Sequence, residues 1–341
     1  MSDRYKLNLG ICRLRMWMAF EVVLLHRMSW KGYEGAFFGF LKACEMFSVP
    51  VFMIVSFYFS AYIFERNDND LFLNRLKRLL IPQVGWAIIC WIVYYLTDII
   101  FMHKVDHTLI DLFWAIVSGC RYNTNPSTWF QAVLILLTIY FFLLFKLFKK
   151  NKGWVMVYVS LVIALAIQDN GRYFAFFSNT PYELANTVGR IFEIMPYACV
   201  GLIFNHLKID KYGKKKRTTA IIVAVFLFVL GFYLPFPAHE GGFFDGIYPL
   251  YMGTALFVIF LLLPINDVTY NVRNIILEVT RFTLGVYCAH RLVYGILDIV
   301  YELLSLEPAA MTKCVMTYLA CYVMSYIMSL LPLKAFDRMV E

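Results

Sequence analysis

The stretch RLRMWMAFEVVLLH, Arg13–His26, decides how the rest of the chain is read. Ten residues separate Arg15 from His26, so on a helix eleven steps of about 100° return the two side chains to one face, offset by about 20°. At a rise of about 1.5 Å per residue they stand roughly 16 Å apart along the axis, too far to touch. Ionisable groups inside so apolar a run are costly in hydrocarbon and usually face a polar cavity or a partner. From charge placement alone, Arg15 is equally well read as a basic anchor reaching the inner membrane surface, and His26 reads better as an interfacial residue than as a catalyst. Glu21 lies about 140° around from His26 and is expected to pair with a different helix.

Outward from this helix the chain keeps the same character. Its 341 residues are 61% hydrophobic, 18% aromatic and 16% charged, with a mean hydropathy of +0.66. An ordinary soluble domain is about half apolar and about a quarter charged, so the bilayer is the main solvent for these side chains. The formal net charge of +8 would suit nucleic acid if it formed one face, but the basic residues fall in short clusters between apolar runs. No nucleic-acid partner is expected. The eight cysteines make no CxxC pair or other metal-ligand spacing and read as small hydrophobes. The basic, then apolar, N-terminus resembles a signal peptide, but Glu21 interrupts the run and no small-residue cleavage site follows, so it is expected to stay as the first helix.

A spanning helix needs roughly 20 mostly apolar residues. Candidate spans lie near 11–28, 36–64, 80–102, 128–148, 153–168, 186–206, 218–235, 246–264, 279–302 and 311–333. The expectation is an all-α polytopic membrane protein, a bundle of about ten transmembrane helices forming a single domain over 1–341. Basic clusters follow every second span: ERNDNDLFLNRLKR, KLFKKNK, HLKIDKYGKKKR and NDVTYNVRN. Placing these and both termini in the cytoplasm puts 22 of the 31 Lys and Arg inside, with nine outside or in the outer halves of helices, which predicts an N-in, C-in protein. The connections 29–35, 103–127, 169–185, 236–245 and 303–310 then lie outside.

Further candidates sit along this frame. Arg75 and Arg78 are three residues apart at the predicted cytoplasmic end of the third span, neighbours on one face. Paired guanidiniums suit phosphate oxygens, while basic residues there also satisfy the positive-inside rule or meet anionic lipid headgroups. His290, about halfway along the ninth span, needs a partner or a wet cavity; a buried structural hydrogen bond serves as well. Arg190 and Glu193 form an i, i+3 pair suited to a local ion pair or to a sugar acceptor. Glu45, near the outer end of the second span, is a candidate to orient His26 or an acceptor hydroxyl. Trp129 and Phe130 fit an aromatic belt. His103 and His107 have helical i, i+4 spacing beside Asp106 and Asp111, but read better as solvated loop residues than as metal ligands.

Six segments in order resemble the acyltransferase-3 family of bacterial inner-membrane proteins, which move acyl groups, usually acetyl, onto sugars. They are the Arg15-to-His26 spacing, FSVPVFMIVSFYF from Phe47, NRLKRLLIP from Asn74, STWFQAVLIL from Ser127, RIFEIMPYACVGLIF from Arg190 and LGVYCAHRLV from Leu284. The resemblance covers about residues 11–300. Two departures stand out: Phe57 where the family commonly has Gly, and Arg291 where Pro is usual.

The resemblance implies a membrane O-acyltransferase with acetyl-CoA as donor and no metal, acting on a hydroxyl of a cell-surface polysaccharide or lipid-linked sugar. It implies that His26, with Arg15, carries the chemistry, and that Arg75, Arg78 and Arg15 meet the donor's phosphates. Glu45, Arg190, His290 and Trp129 are then candidates to line the acceptor site. The membrane lipids and the sugar acceptor are the expected partners. The alternative is a transporter or flippase for a lipid-linked sugar, which also needs a polar cavity. Transporters often show paired broken helices in two matching halves; Pro50, Pro82 and Pro196 fall within or near spans without such a duplication.

Overall fold

The computed structural model describes residues 8–102, 108–119, 128–168, 182–233, 247–263 and 269–330. Among these residues thirteen α-helices and a few single turns account for the regular structure, with no strand. In chain order they are α1 (Leu9–Arg27), α2 (Ala36–Cys44), α3 (Ser48–Arg66), α4 (Asn69–Thr97), α5 (Leu109–Val117), α6 (Trp129–Phe148) and α7 (Lys150–Gln168). There follow α8 (Tyr182–His206), α9 (Lys214–Tyr233), α10 (Ile247–Leu262), α11 (Tyr270–Arg281), α12 (Thr283–Leu303) and α13 (Ala310–Leu330).

The described residues of each predicted apolar run fall in these helices or at their ends. Six helical stretches are long and apolar enough to cross a bilayer: Ala36–Arg66, Asn69–Ile100, Trp129–Phe148, Thr187–Lys211, Thr283–Leu303 and Ala310–Leu330. Helices at Asn151–Ile167 and Pro249–Leu262 are apolar but shorter. The protein is a multi-pass membrane protein, and its outward surface agrees. Val162 (66% exposed), Phe226 (62%) and Leu319 (52%) present large apolar side chains on α7, α9 and α13, a surface that lipid tolerates and water does not.

Three details differ from the expected pattern. The second span is not one regular helix: a tight turn at Glu45–Phe47 joins α2 to α3, and Ser48 Oγ donates to the Glu45 carbonyl at 2.9 Å. Hydropathy is continuous through this joint, so composition does not reveal it. The helix of the third span, α4, begins at Asn69, capped by the Asp68 side chain, so Arg75 and Arg78 lie within it rather than at its mouth. Two short helices, α5 and α11, occupy stretches read as connections; α5 starts with Thr108 and Asp111 capping each other's backbone.

Helix α1 is central, packing against α2, α3, α10, α11, α12 and α13. Its N-terminus is fixed by Asn8, whose side chain accepts from Ile11 N at 3.2 Å and donates to the Leu261 carbonyl at 2.8 Å. Arg217 Nε donates to the Leu262 carbonyl at 2.5 Å, so the start of α1, the end of α10 and the start of α9 share one end of the bundle. At the other end Trp30 Nε1 donates to Glu45 Oε1 at 2.9 Å and Met311 N to the Tyr33 hydroxyl at 3.3 Å. Helix α3 therefore starts where α1 finishes. Its tightest neighbour is α8, where a Cβ on Gly201 would strike the Ile54 carbonyl and stand 3.0 Å from Tyr58 N, an approach only a glycine permits.

Candidate active site

Along the seam between α1 and α12 three cross-helix contacts follow one another. Arg15 Nη2 donates to Thr283 Oγ1 at 2.8 Å. Arg291 Nη2 donates to His26 Nδ1 at 3.1 Å, and the His26 and His290 rings stack at 15° with centroids 5.1 Å apart. Arg27 grips Asp298 through two bonds of 2.5 Å, its guanidinium 5.2 Å from the Tyr294 ring centre. Both helices advance in the same order, so they run in one direction. From Thr283 to His290 is about 10 Å of rise, and from Thr283 to Asp298 about 22 Å.

The histidine pair is the centre of this seam. His290 is wholly buried, and its Nδ1 lies 2.7 Å from the Tyr287 carbonyl. A carbonyl only accepts, so Nδ1 carries the proton and Nε2 holds a lone pair. That Nε2 is buried with no hydrogen-bond partner. His26 is partly exposed, so the pair is reachable from its side. Below it Tyr287 packs with Phe130 at 5.0 Å and Phe52 at 6.1 Å, an apolar collar between α3, α6 and α12.

One turn from that collar toward the α1 N-terminus, two arginines stand at the same level. From Tyr287 back to Thr283 is one turn of α12, where Arg15 is held. From Phe52 on to Ser56 is one turn of α3, and Ser56 Oγ accepts from Arg75 Nη2 at 3.0 Å. Phe57 is fully buried, stacked near Phe64 and edge-on to Phe141, with the Arg75 guanidinium 5.8 Å from its ring centre. The Phe in place of the usual Gly thus fills the interior and holds Arg75 against the bundle. Arg78 is exposed; the two arginines share a helix but not the same burial.

The remaining candidates divide. Arg190 binds both Glu193 oxygens, at 2.6 and 2.9 Å, and lies 4.8 Å from the Trp129 ring centre, so Trp129, Arg190 and Glu193 form one cluster between α6 and α8. Glu45 accepts from Trp30 Nε1 at 2.9 Å. Glu21, fully buried, accepts from Trp17 Nε1 at 2.6 Å; its partner is on its own helix, one turn back, not on a neighbour. His206 stacks on Trp154 at 4.1 Å. His103 and His107 lie outside the described residues.

Sequence reasoning missed Thr283, Asp298 and the contact made by Arg291. Arg291 stood out only as a departure from Pro, and nothing local marks it as the partner of a histidine 265 positions away.

A family model, Acyl_transf_3, described as an acyltransferase domain, matches residues 8–332. No curated protein and no solved structure matches the chain.

Proposed function

The chain belongs to the acyltransferase-3 family, and from that premise we propose that it moves an acetyl group from cytoplasmic acetyl-CoA to a sugar hydroxyl. The acceptor is a cell-surface polysaccharide or its lipid-linked precursor, and the protein sits in a bacterial inner membrane with about ten spans and both termini inside. The Lys and Arg distribution supports this orientation. On it, Arg15 and Arg75 lie toward the cytoplasmic end of the bundle, where a phosphate-bearing donor arrives, and guanidiniums suit phosphate oxygens.

The observation that carries the reading is the stacked His26 and His290 pair, about 10 Å of helix rise beyond the Arg15 contact. Donor phosphates held at the arginine level leave the thin thioester arm to reach the imidazoles. His26 stands at the centre of the transfer, and the stacked His290 ring gives the site a second imidazole. Trp129 and Arg190 offer an aromatic face and donors for a sugar.

The test is purified protein in lipid nanodiscs with acetyl-labelled acetyl-CoA and a sugar acceptor. Wild type should consume thioester and label the acceptor. His26→Ala should lose on the order of 10² to 10⁴ in rate while still inserting and keeping its helical content. Near-normal labelling by that variant would remove His26 from the reaction; a transporter would leave the thioester intact.

A further inference from the structure

Two imidazoles stacked in one buried seam are pinned at the same ring atom by opposite kinds of partner. At His290 the partner is the Tyr287 carbonyl, an acceptor, so Nδ1 carries the proton and Nε2 is a bare lone pair. At His26 the partner is a guanidinium, which has donors and no acceptor, so Nδ1 holds the lone pair and Nε2 carries the proton. The near-parallel rings, 5.1 Å between centroids, therefore carry one Nε2 acceptor and one Nε2–H donor. The two groups that meet in acyl transfer to an alcohol have the matching character: a hydroxyl with a proton to give and a carbonyl oxygen that gathers charge.

Resting on the acyltransferase reading above, we propose that His290 Nε2 is the proton acceptor of the transfer, while Arg291 is a positioning residue that holds His26 as an N–H donor to the acyl carbonyl oxygen. The hydroxyl oxygen attacks the carbonyl carbon and its proton passes to His290 Nε2. The negative charge on the carbonyl oxygen is met by His26 Nε2–H, with the Arg291 charge behind it. The C–S bond then breaks, and the leaving thiolate takes the proton from His290, so that coenzyme A departs as the thiol and both histidines return to their starting forms.

Three features favour this division over a purely structural His290. Its Nε2 is a buried polar atom left without a partner, an arrangement a packed interior disfavours. Its Nδ1 bond to Tyr287 fixes the ring so that this lone pair cannot turn away to find one. Meanwhile His26, the reachable member of the pair, has its own lone pair covered by Arg291, so it is poorly placed to take a proton while that contact holds.

The experiment has two arms. In the first, ¹⁵N-histidine protein in nanodiscs is read by solid-state NMR, which reports the protonated nitrogen of each ring. The expected result is Nδ1–H at His290 and Nε2–H at His26, with Arg291→Met releasing His26 into a mixture. The same tautomer at both sites, or a His26 signal indifferent to Arg291→Met, overturns the proposal.

In the second arm, transfer is measured for side chains that keep one ring function each. His290→Asn can still donate at the δ position but has no base, and should lose on the order of 10² or more. Added imidazole should restore His290→Gly in the order of basicity of a substituted-imidazole series, a response that a packing role does not produce. His26→Gln retains an N–H near the ε position and should exceed His26→Ala by on the order of 10². Wild-type rates in His290→Asn, or equal rates in His26→Gln and His26→Ala, overturn the division of roles. No thioester consumption by wild type overturns the underlying function instead, and the tautomers are read independently of it.

Discussion

Glu21 and His26 sit five residues apart on one helix, and they are held in opposite ways. Glu21 is wholly buried and takes its short hydrogen bond from Trp17 on α1 itself. His26 is partly exposed and is engaged by two residues of α12, His290 and Arg291. A bond within one helix survives any shift between helices. A bond across two helices depends on their packing, and its members are set by the tertiary fold. The contrast teaches that a costly polar residue in a membrane helix marks function when its partner comes from elsewhere and its remaining polar edge faces a reachable space. Arg15 and Arg27 follow the His26 pattern, each bonded to α12.

The seam between α1 and α12 should show its contribution to the fold at its far end. Arg27 has an 8% exposed side chain and Asp298 a 46% exposed one, so the bond is half in solvent, and exposed ion pairs contribute little. The bidentate geometry raises it, and removing Arg27 also strips the Tyr294 contact. Arg27→Met should destabilise by about 1–2 kcal/mol, seen as a lower midpoint in reversible unfolding in mixed micelles. Asp298→Asn should cost less, because an exposed amide is readily solvated. An unchanged midpoint in Arg27→Met would mean that α1 and α12 are held together by apolar packing alone.

A smaller effect separates Arg75 from Arg78, the same contrast drawn one helix further on. Arg75 is held to Ser56 and against Phe57 inside the bundle, whereas Arg78 is exposed. If both meet donor phosphates, Arg75→Ala should weaken acetyl-CoA binding by about tenfold with little dependence on salt. Arg78→Ala should weaken it by only a few-fold, and that difference should fade above roughly 0.15 M salt. Titration of labelled acetyl-CoA at two ionic strengths reads both. Equal loss and equal salt dependence would show that the two act as one exposed pair.

How much of this was legible in the sequence follows from what each signal measures. Apolar runs report the solvent a segment needs, and so the helices and the membrane were readable from composition. The joint at Glu45–Phe47 was not, because the run stays long and apolar on both sides of Glu45 and the break is made by a backbone turn. Charge suggests that the third span starts after Arg78, but Asp68 caps the helix seven residues earlier than Arg75 and places both arginines inside it. Periodicity put Arg15 and His26 on one face, and the structure gives both partners on α12. It said nothing of which helix that face meets. The tautomers of the two histidines depend on a carbonyl and a guanidinium brought in by packing, which no local pattern encodes.

The smallest expected change is at Glu21, and it tests the contrast most sharply. Glu21→Gln keeps an oxygen to accept from Trp17 Nε1, and its second group replaces Oε2, which has no hydrogen-bond partner. One orphaned polar atom is exchanged for another of similar size, so stability should move by under about 1 kcal/mol and transfer should stay within about twofold of wild type. Glu21→Leu instead strands the Trp17 N–H and should cost about 1–3 kcal/mol, again without touching the rate per folded molecule. Were Glu21→Gln to fold as wild type yet lose transfer, Glu21 would have to join the path of the proton. Burial and a partner on the same helix would then be no guide to which polar residues of α1 are structural.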